Sequence, residues 1–532
     1  MSDRFRILLA DKISSDGLQP LLGDPRFELF EKTGLKAEEL ALAIKGMDAV
    51  IVRSSTRITR EALKHADRLK VIGRAGVGVD NIDVEAATER GVAVLNAPSG
   101  NTISAAELAF ALLLALVRSV PHADRSMKAG EWDRKSFNGS ELYGKILGLV
   151  GAGRIGGEVA RRAIAFGMHV LCYDPFLTPE RASALDMELT SLTDVLQRAD
   201  VISLHVPLTE ATSGMIGEAE LELVKPTAYL INAARGGVVD EPALVNALTQ
   251  KRLAGAALDV YAQEPLPADH PLRQAPNIVL TPHVGASTAE AQQNVAIEIA
   301  EAVRAALLDS DLSHAVNAPA LSGEAMRKVR PLLDLAQRLG TLAAALAEPP
   351  INRVEIRYAG NLDEAIRPLA SSALMGVLTP VVGKSGVNLV NAIHLAEARG
   401  ITVERVRIGT QRDYSELIEL RLASRTAETV VAGALLAEGH PRIVRVGTYH
   451  IELNPRGTLL MLRNRDVQGV IGRVGTLLGN AGVNIAEYHQ ARIKAGGDAL
   501  AAISMDGRLS PEVLAQLREL PEILDVKQAE LD

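Results

Sequence analysis

Residues 145–156 read Lys145-Ile-Leu-Gly-Leu-Val-Gly-Ala-Gly-Arg-Ile-Gly156, an apolar run that ends in the pattern Gly-x-Gly-x-x-Gly. This order predicts a strand that turns sharply into a helix. Gly151 permits the tight turn, Gly153 lets the backbone approach a pyrophosphate, and Gly156 lets the helix pack close to its strand. The free N–H groups and the positive dipole end of that helix favour phosphate binding.

A second apolar stretch, residues 168–174, follows this helix and ends in Asp174. An acid at this point accepts hydrogen bonds from a ribose diol and repels a 2′-phosphate, which favours NAD over NADP. Two alternatives stay open. Arg181 could meet a 2′-phosphate, and the glycines could form a turn without a ligand. Because strand, loop, helix, strand and acid occur in order, we expect an NAD site.

The bulk composition limits the possible classes of protein. A chain of 532 residues with 47% hydrophobic residues supports three or four domains with real cores. The net charge of −8, without an extended basic segment, indicates no nucleic-acid partner. The single cysteine, Cys172, excludes an internal disulfide. The longest apolar run, residues 108–117, is too short to span a bilayer, and residues 1–6 lack a signal-peptide core. We expect a soluble, cytoplasmic protein without a membrane partner or a bound metal.

Alternating strands and helices predict an α/β fold with two doubly wound parallel-sheet domains, Rossmann-type and flavodoxin-like, and a cleft between them. The predicted strands of the first set are residues 6–10, 49–52, 69–73 and 92–96, with helices at 36–45 and 60–66. Those of the second set, after the fingerprint strands, are residues 201–206, 228–232, 255–259 and 278–281. Two long crossing helices are predicted at residues 102–128 and 288–308, the second packing back on the first domain.

The pattern changes near residue 321. Residues from there to 453 mix helices with β-branched strands, which predicts an α+β domain. From residue 454 the order is strand, helix, strand, strand, helix, strand, which is the ferredoxin-like order. Within it, Gly482 fits a helix C-terminal stop.

Polar side chains follow three predicted strands of the second set. Arg235 comes after residues 228–232 and can grip a carboxylate with two parallel hydrogen bonds. Asp259 ends the next strand, and Glu264 lies in the loop behind it. His283 follows the last strand and can take a hydroxyl proton near neutral pH, with Glu264 as the carboxylate that orients its ring. Ligands of open α/β sheets bind at these strand ends, so the sequence predicts a catalytic site.

Each of these residues also has a non-catalytic interpretation. Arg235 could be a surface arginine in a glycine turn, Glu264 a solvated loop residue and His283 a structural histidine. His205 also ends a strand but has no acid in its own loop, and we interpret it as structural.

These groups, in this order behind this fingerprint, resemble the D-2-hydroxyacid dehydrogenase family over residues 1 to about 320. Four further segments carry the likeness, at residues 52–56, 73–81, 98–102 and 130–135. Within the family the chain is most similar to long-form members that oxidise 3-phospho-D-glycerate and carry an intervening domain and an amino-acid-binding ACT domain. The resemblance implies a substrate domain (1–97 and 284–320), an NAD domain (98–283), an intervening domain (321–453) and an ACT domain (454–532).

The resemblance also implies roles for single residues. Arg235, Glu264 and His283 would be catalytic. The NAD site would comprise Val77, Gly151, Gly153, Arg154, Ile155, Gly156, Asp174, Val206, Ala233, Ala234, Asp259, Gly285 and Ala286, with Asp259 at the nicotinamide carboxamide. The substrate would meet Arg53, Arg74, Asn101 and Arg134, and Arg134 would serve a neighbouring subunit of a homodimer or homotetramer.

The implied reaction is NAD-dependent oxidation of 3-phospho-D-glycerate at the start of L-serine synthesis. Asp466 and Asn484 would bind an L-serine effector. Gln468 lies where ACT domains usually carry proline. The alternative that this domain only holds subunits together therefore stays open. The alternatives for the whole chain are a dehydrogenase of non-phosphorylated 2-hydroxy acids and an NAD(H) sensor without turnover.

Overall fold

The computed structural model describes residues 4–319, 323–383, 385–409, 413–436 and 439–531. Over these residues the chain forms four sheets, which follow one another along the sequence. The first two are parallel, as the α/β pattern predicts. The boundary predicted between residues 320 and 321 lies outside the described residues, so the division into domains stays a prediction.

The first sheet has five parallel strands in the order β2-β1-β3-β4-β5, the order of flavodoxin-like folds. Its interior is aliphatic, and Ile7, Val50 and Ile72 are fully buried. The sequence pattern does not predict β2, because glutamates interrupt its apolar residues. The elements are β1 (Phe5–Leu9), α1 (Gln19–Leu22), β2 (Phe27–Glu31), α2 (Ala37–Ile44), β3 (Ala49–Val52), α3 (Arg60–Leu63), β4 (Val71–Arg74), α4 (Val84–Glu89) and β5 (Ala93–Asn96).

The second sheet has seven parallel strands in the order β12-β11-β10-β9-β6-β7-β8. The strand order reverses between β6 and β9, which is where open α/β sheets bind ligands. Its elements are α5 (Thr102–Val117), α6 (Val120–Lys128), β6 (Ile146–Val150), α7 (Arg154–Ala165), β7 (His169–Tyr173), α8 (Pro179–Ser183), β8 (Met187–Leu189), α9 (Leu192–Arg198), β9 (Val201–Leu204), α10 (Glu218–Leu223), β10 (Tyr229–Asn232), α11 (Glu241–Thr249), β11 (Gly255–Leu258), β12 (Ile278–Leu280) and α12 (Ala289–Asp309).

The prediction of one helix over residues 102–128 is wrong. Two helices, α5 and α6, meet there at an angle of 63°. Ser119 between them adopts a left-handed conformation with a φ of 51°, and Pro121 lies in the first turn of α6. Proline cannot continue a preceding helix, because it has no N–H and its ring clashes with the carbonyl four residues back. Among the described residues no single helix is long and apolar enough to cross a membrane, although this bent pair would qualify by length and composition.

The prediction that the helix after residue 288 packs on the first sheet is confirmed, because α12 contacts β4 and α1. Gly73 in β4 makes the close approach possible. A Cβ on Gly73 would lie 2.8 Å from Cγ2 of Val303 and 3.0 Å from Cγ1 of Ile299. The chain therefore crosses between the two sheets twice, before α5 and before α12.

The third sheet is mixed, in the order β14-β13-β15-β16-β17-β18, with β13 and β14 parallel and the other pairs antiparallel. Helices α13 and α14 pack against each other and bury one face of this sheet. Its elements are α13 (Gly323–Leu346), β13 (Arg353–Ala359), α14 (Ile366–Val382), α15 (Ala392–Glu397), β14 (Thr402–Arg407), β15 (Glu416–Ala423), β16 (Glu428–Leu435), β17 (Pro441–Val446) and β18 (Tyr449–Leu453).

The fourth sheet is antiparallel, in the order β20-β21-β19-β22, which confirms the ferredoxin-like prediction. Gly482, with a φ of 72°, lies just past the end of α16, as expected for a helix stop. The elements are β19 (Thr458–Arg465), α16 (Val470–Asn480), β20 (Ile485–Arg492), β21 (Asp498–Met505), α17 (Pro511–Glu519) and β22 (Ile523–Glu530).

Candidate active site

A cleft of about 1360 Å³ opens between the first two sheets, at the carboxyl ends of their strands. Pockets for small molecules usually measure about 300–1,000 Å³, so this one has room for a dinucleotide with a second small molecule. It brings together fourteen of the residues that the sequence singled out: Arg53, Arg74, Val77, Asn101, Ile155, Val206, Ala233, Ala234, Arg235, Asp259, Glu264, His283, Gly285 and Ala286.

His283 lies after β12 and is oriented by a carboxylate. Its Nδ1 is 2.7 Å from Oε2 of Glu264, and the other carboxylate oxygen of Glu264 accepts the Tyr261 N–H at 3.0 Å. The backbone of His283 is left-handed, with a φ of 53°. Because Nδ1 is engaged, Nε2 is the ring nitrogen available to a ligand. The side chain is 49% exposed and lines the cleft, so an imidazole held by an acid faces the space where a substrate would lie.

Asp259 anchors the loop that carries His283. It is buried, and its two carboxylate oxygens accept hydrogen bonds from the Thr281 hydroxyl at 2.6 Å and from the Val284 and Gly285 N–H groups at 2.9 Å each. The resemblance implied a contact between Asp259 and the nicotinamide. The hydrogen bonds of its oxygens fix the loop on both sides of His283, and the contact with the nicotinamide stays a prediction.

Arg235 reaches across the cleft from β10 to the first sheet. Its Nε lies 3.4 Å from Oδ2 of Asp80, and its Nη1 donates to the Ala234 carbonyl at 2.7 Å. Gly78 makes room for it, because a Cβ there would lie 2.2 Å from Nη2 of Arg235. Buried Asn232 holds the turn by donating to the Arg235 carbonyl at 2.9 Å. The guanidinium is thus fixed between the two sheets.

Arg74 gives the cleft a second, more buried cation. Burial lowers its pKa to about 10, with a further contribution from the positive charge of Arg235 and a smaller one from Arg53, against the opposing effect of Asp80. Among the described residues its Nε has no hydrogen-bond partner. A Cβ on Gly76 would lie 1.4 Å from Nη1 of Arg74, so only glycine leaves space for this side chain. Clustered guanidinium groups with a vacant donor favour an anionic ligand.

Arg53 lies on a loop that two polar side chains hold in place. Buried Asp11 accepts the Arg53 N–H at 2.6 Å and the Thr56 hydroxyl at 2.8 Å, and the Asn81 amide donates to the Arg53 carbonyl at 2.7 Å. Asn101, at the start of α5, also faces the cleft, and its Oδ1 has no partner among the described residues. The first sheet therefore presents two arginines and a free amide oxygen.

The fingerprint loop fits a dinucleotide. Gly151 has a φ of 91°, a conformation that favours glycine. A Cβ on Gly156 would lie 2.1 Å from the Gly151 carbonyl oxygen, whereas one on Gly153 would meet nothing within 4 Å, which leaves that backbone open to a phosphate. Asp174 accepts the Ala152 N–H at 2.9 Å, which ties the acid at the end of β7 to the loop itself. These features are what an NAD pyrophosphate and ribose require.

His205 lies behind this loop and contacts the cleft. Its Nε2 is 2.8 Å from the buried Ser203 hydroxyl, and burial lowers its pKa to about 4. A Cβ on Gly151 would come within 2.7 Å of the His205 carbonyl oxygen. The imidazole is therefore neutral near pH 7, and the His205 backbone packs on the glycine turn, which agrees with a structural role.

Of the eight predicted residues that do not line the cleft, five belong to the fingerprint: Gly151, Gly153, Arg154, Gly156 and Asp174. The other three lie away from both the cleft and the fingerprint loop. Arg134 is exposed on the loop after α6. Asp466 follows β19, where it accepts hydrogen bonds from Arg492 at 2.9 Å and from the Gly496 N–H at 3.2 Å. Asn484 donates to Asp506 at 2.7 Å, at the other end of the same sheet. The eight residues of β21 separate Asp466 from Asn484, more than about 20 Å at 3.3 Å per residue. One chain therefore does not bring these two together.

Sequence comparison identifies relatives over almost the whole chain. The NAD-binding domain of D-isomer specific 2-hydroxyacid dehydrogenases matches residues 110–285, and the D-3-phosphoglycerate dehydrogenase intervening domain matches residues 328–447. D-3-phosphoglycerate dehydrogenase of Synechocystis is 42% identical over 99% of this chain and 95% of its own length. The enzyme of the same name from Bacillus subtilis is 40% identical over 99% of this chain and 100% of its own length.

Solved structures match about three fifths of the chain. A glyoxylate reductase from Paecilomyes thermophila is 31% identical, with a TM-score of 0.55, and covers 59% of this chain and 99% of its own. D-lactate dehydrogenase from Aquifex aeolicus, complexed with NAD and lactic acid, is 31% identical, with a TM-score of 0.51, and covers 58% of this chain and 97% of its own. The chain belongs to the D-3-phosphoglycerate dehydrogenase family of NAD-dependent oxidoreductases.

Proposed function

We propose that this protein oxidises the C2 hydroxyl of 3-phospho-D-glycerate to the ketone of 3-phosphooxypyruvate, the first step of L-serine biosynthesis. One observation carries the proposal. The carboxylate-oriented imidazole of His283 shares its cleft with the guanidinium groups of Arg53, Arg74 and Arg235. An imidazole is suited to the hydroxyl proton, and several cations are suited to a substrate that carries both a carboxylate and a phosphate. The names of the full-length relatives support the same substrate.

Each of the three proposed catalytic residues, Arg235, Glu264 and His283, has a defined task. Arg235 binds the carboxylate and the C2 oxygen through paired N–H donors, which orients C2. His283 removes the hydroxyl proton through Nε2, because Nδ1 is held by Glu264. The Glu264 carboxylate stabilises the imidazolium that forms. NAD, when bound, supplies the two-electron acceptor for C2. In the reverse direction the same imidazole returns the proton.

The NAD site of the proposal follows the fingerprint. The N-terminus of α7, with Gly151, Gly153 and Gly156, would hold the pyrophosphate, and Asp174 would hold the adenosine ribose. Residues on both sides of the cleft would enclose the rest of the cofactor: Val77, Arg154, Ile155, Val206, Ala233, Ala234, Asp259, Gly285 and Ala286.

The function is tested by NADH formation with 3-phospho-D-glycerate and with D-glycerate. We expect kcat/KM to be about 100-fold higher for the phosphate, since a cluster of arginines near a dianion is worth about 3 kcal/mol. Equal rates on both compounds would favour a dehydrogenase of non-phosphorylated 2-hydroxy acids. NADH binding without turnover of any 2-hydroxy acid would identify a sensor and contradict the proposal.

The proposal includes a homo-oligomer in which Arg134 completes the phosphate site of a neighbouring subunit. Arg134 lies outside its own cleft, on an exposed segment that also displays large apolar side chains. Trp132 is 78% exposed and Tyr143 is 81% exposed, an arrangement that favours burial against a second copy. Arg134 would then join Arg53, Arg74 and Asn101 around the phosphate.

Subunit mixing provides a sharp prediction. Arg134→Ala and Arg235→Leu enzymes are each expected to be nearly inactive alone. After the two are mixed and allowed to exchange subunits, activity should rise to about one quarter of the parent value. Half of the dimers are then hybrids, and each hybrid has one intact site of two. The matched control mixes Arg74→Leu with Arg235→Leu, whose defects lie in the same cleft, and should stay inactive. No recovery in the first mixture would contradict a shared site.

The finer part of the proposal is an L-serine effector site on the ferredoxin-like unit. Because Asp466 and Asn484 lie at opposite ends of one sheet, a site that uses both requires two copies of the unit. Repeating the NADH assay with added L-serine tests this part. An unchanged rate would restrict the unit to holding subunits together.

A further inference from the structure

Glu241 is a buried carboxylate close to the catalytic loop, and the mechanism above does not use it. It is the first residue of α11, six positions after Arg235, and only 7% of it is exposed. Its Oε1 accepts the Ala262 N–H at 2.7 Å, and its Oε2 lies 3.3 Å from Nε2 of His270. A buried acid needs such partners, because an unpaired buried charge is costly.

The partners explain why this position suits glutamate. The Leu272 N–H donates to Nδ1 of His270 at 3.3 Å, so a neutral His270 carries its proton on Nε2 and donates it toward Glu241. Glu241 therefore faces one donor on each of its two oxygens. Glutamine has the same shape, but its NH₂ group would oppose one of these donors.

A short hydrogen-bonded path joins Glu241 to the catalytic pair. Glu241 fixes the N–H of Ala262, and the N–H of the preceding Tyr261 donates to Oε1 of Glu264 at 3.0 Å. Glu264 in turn holds His283. The loop between Ala262 and Glu264 is short, so a displacement of its first residue moves the carboxylate that orients the imidazole.

Tyr261 ties the same loop to the two others that build the site. Its phenol donates to the Thr281 carbonyl at 2.8 Å, two residues before His283. A Cβ on Gly236 would lie 1.8 Å from the Tyr261 carbonyl oxygen, so the turn after Arg235 packs directly on this backbone. The segments that carry Arg235, Glu264 and His283 therefore meet at residues 261–262, and Glu241 anchors that junction.

We propose that Glu241, supported by His270, is a positioning residue that holds the Glu264 carboxylate in register with His283. Glu241 does not line the cleft and acts through Glu264. The inference rests on the proposed catalytic role of Glu264 and goes beyond it, because it assigns a task to a side chain outside the cleft.

The test is a double-mutant cycle on kcat for 3-phospho-D-glycerate oxidation. We expect Glu241→Gln to lower kcat by about 10- to 100-fold, since small misplacements of reacting groups cost up to about 100-fold, with the KM for substrate and NADH affinity by fluorescence within about twofold. In a Glu264→Gln background the same change should cost less than about twofold further, because the residue it positions is already altered. Glu222→Gln, an exposed glutamate of α10 paired with Arg252, is the matched control and should keep parent kcat.

The outcomes separate this inference from the proposed function. A parent-like kcat for Glu241→Gln beside an impaired Glu264→Gln, or full additivity of the two losses, overturns the inference alone. A parent-like Glu264→Gln overturns the assigned role of Glu264 and the inference with it. His270→Asn guards against misfolding of Glu241→Gln, since asparagine can still accept the Leu272 N–H but offers Glu241 no ring donor. We expect it to lower kcat by about 3- to 10-fold with unchanged NADH affinity, and a parent-like value would contradict the proposal.

Discussion

Replacing His283 with alanine is expected to lower kcat for 3-phospho-D-glycerate oxidation by about 1,000-fold, the middle of the range for loss of a general base. The reason lies in the ring geometry. Nδ1 is held by Glu264 at 2.7 Å, which leaves Nε2 facing the cleft as the proton acceptor. Methyl replaces the ring, and no other imidazole of the described cleft substitutes for it, because His205 is hydrogen bonded to Ser203 behind the glycine turn. Steady-state NADH formation measures the effect.

Two comparisons make the His283 result specific. NADH affinity should change by less than about twofold, because the imidazole acts on the substrate proton and contributes little to ground-state binding of the cofactor. His169→Ala, a change at an exposed histidine of β7, should leave kcat unaltered. A His283→Ala enzyme with more than about a tenth of parent kcat would remove the general-base assignment.

Replacing Arg235 with leucine should lower kcat/KM for 3-phospho-D-glycerate by about 1,000-fold, or about 4 kcal/mol. The guanidinium is braced between Asp80 and the Ala234 carbonyl, so its remaining donors are presented in a fixed plane. Leucine removes the substrate's partner and also breaks the ion pair between Arg235 and Asp80. Both effects oppose binding of a carboxylate.

Arg235→Lys distinguishes charge from geometry. Lysine keeps the positive charge but offers no planar fork, so we expect about a 100-fold loss of kcat/KM, most of it in KM. Arg198→Lys, which alters an exposed arginine paired with Glu188 at 2.6 Å, is the matched control and should keep parent kinetics. If Arg235→Leu retains the parent KM, the carboxylate is bound elsewhere, and Arg74 becomes the candidate for it.

The local sequence pattern predicted most of the fold, because short apolar segments form the buried strands and helices. The fingerprint strand, the helix after it and the six elements of the ferredoxin-like unit all form in the predicted order. The failures have physical causes. The break at Ser119 depends on Pro121, and the apolar spacing of residues 102–128 conceals it. Strand β2 alternates too weakly to show, and parallel pairing with β1 supplies its stability.

The sequence predicted those residues of the candidate site that directly follow strands of the second sheet. Arg235, Glu264 and His283 each follow a strand of one parallel sheet. They lie together because the carboxyl ends of parallel strands share one edge of the sheet. The sequence did not predict the neighbours Glu241 and Tyr261, because their hydrogen bonds form only in the folded chain. Asp466 and Asn484 lie apart because of the strand order β20-β21-β19-β22. The predicted order of elements already implied this separation, although the resemblance assigned both residues to one effector site.

The most direct test of the account is a crystal structure with 3-phospho-D-glycerate and a cofactor bound in the cleft. We predict the C2 hydroxyl oxygen within hydrogen-bonding distance of Nε2 of His283, the substrate carboxylate paired with Arg235, and the phosphate beside Arg74. A bound substrate whose C2 hydroxyl lies away from His283, with Glu264 and the imidazole still paired, would contradict the proposed chemistry.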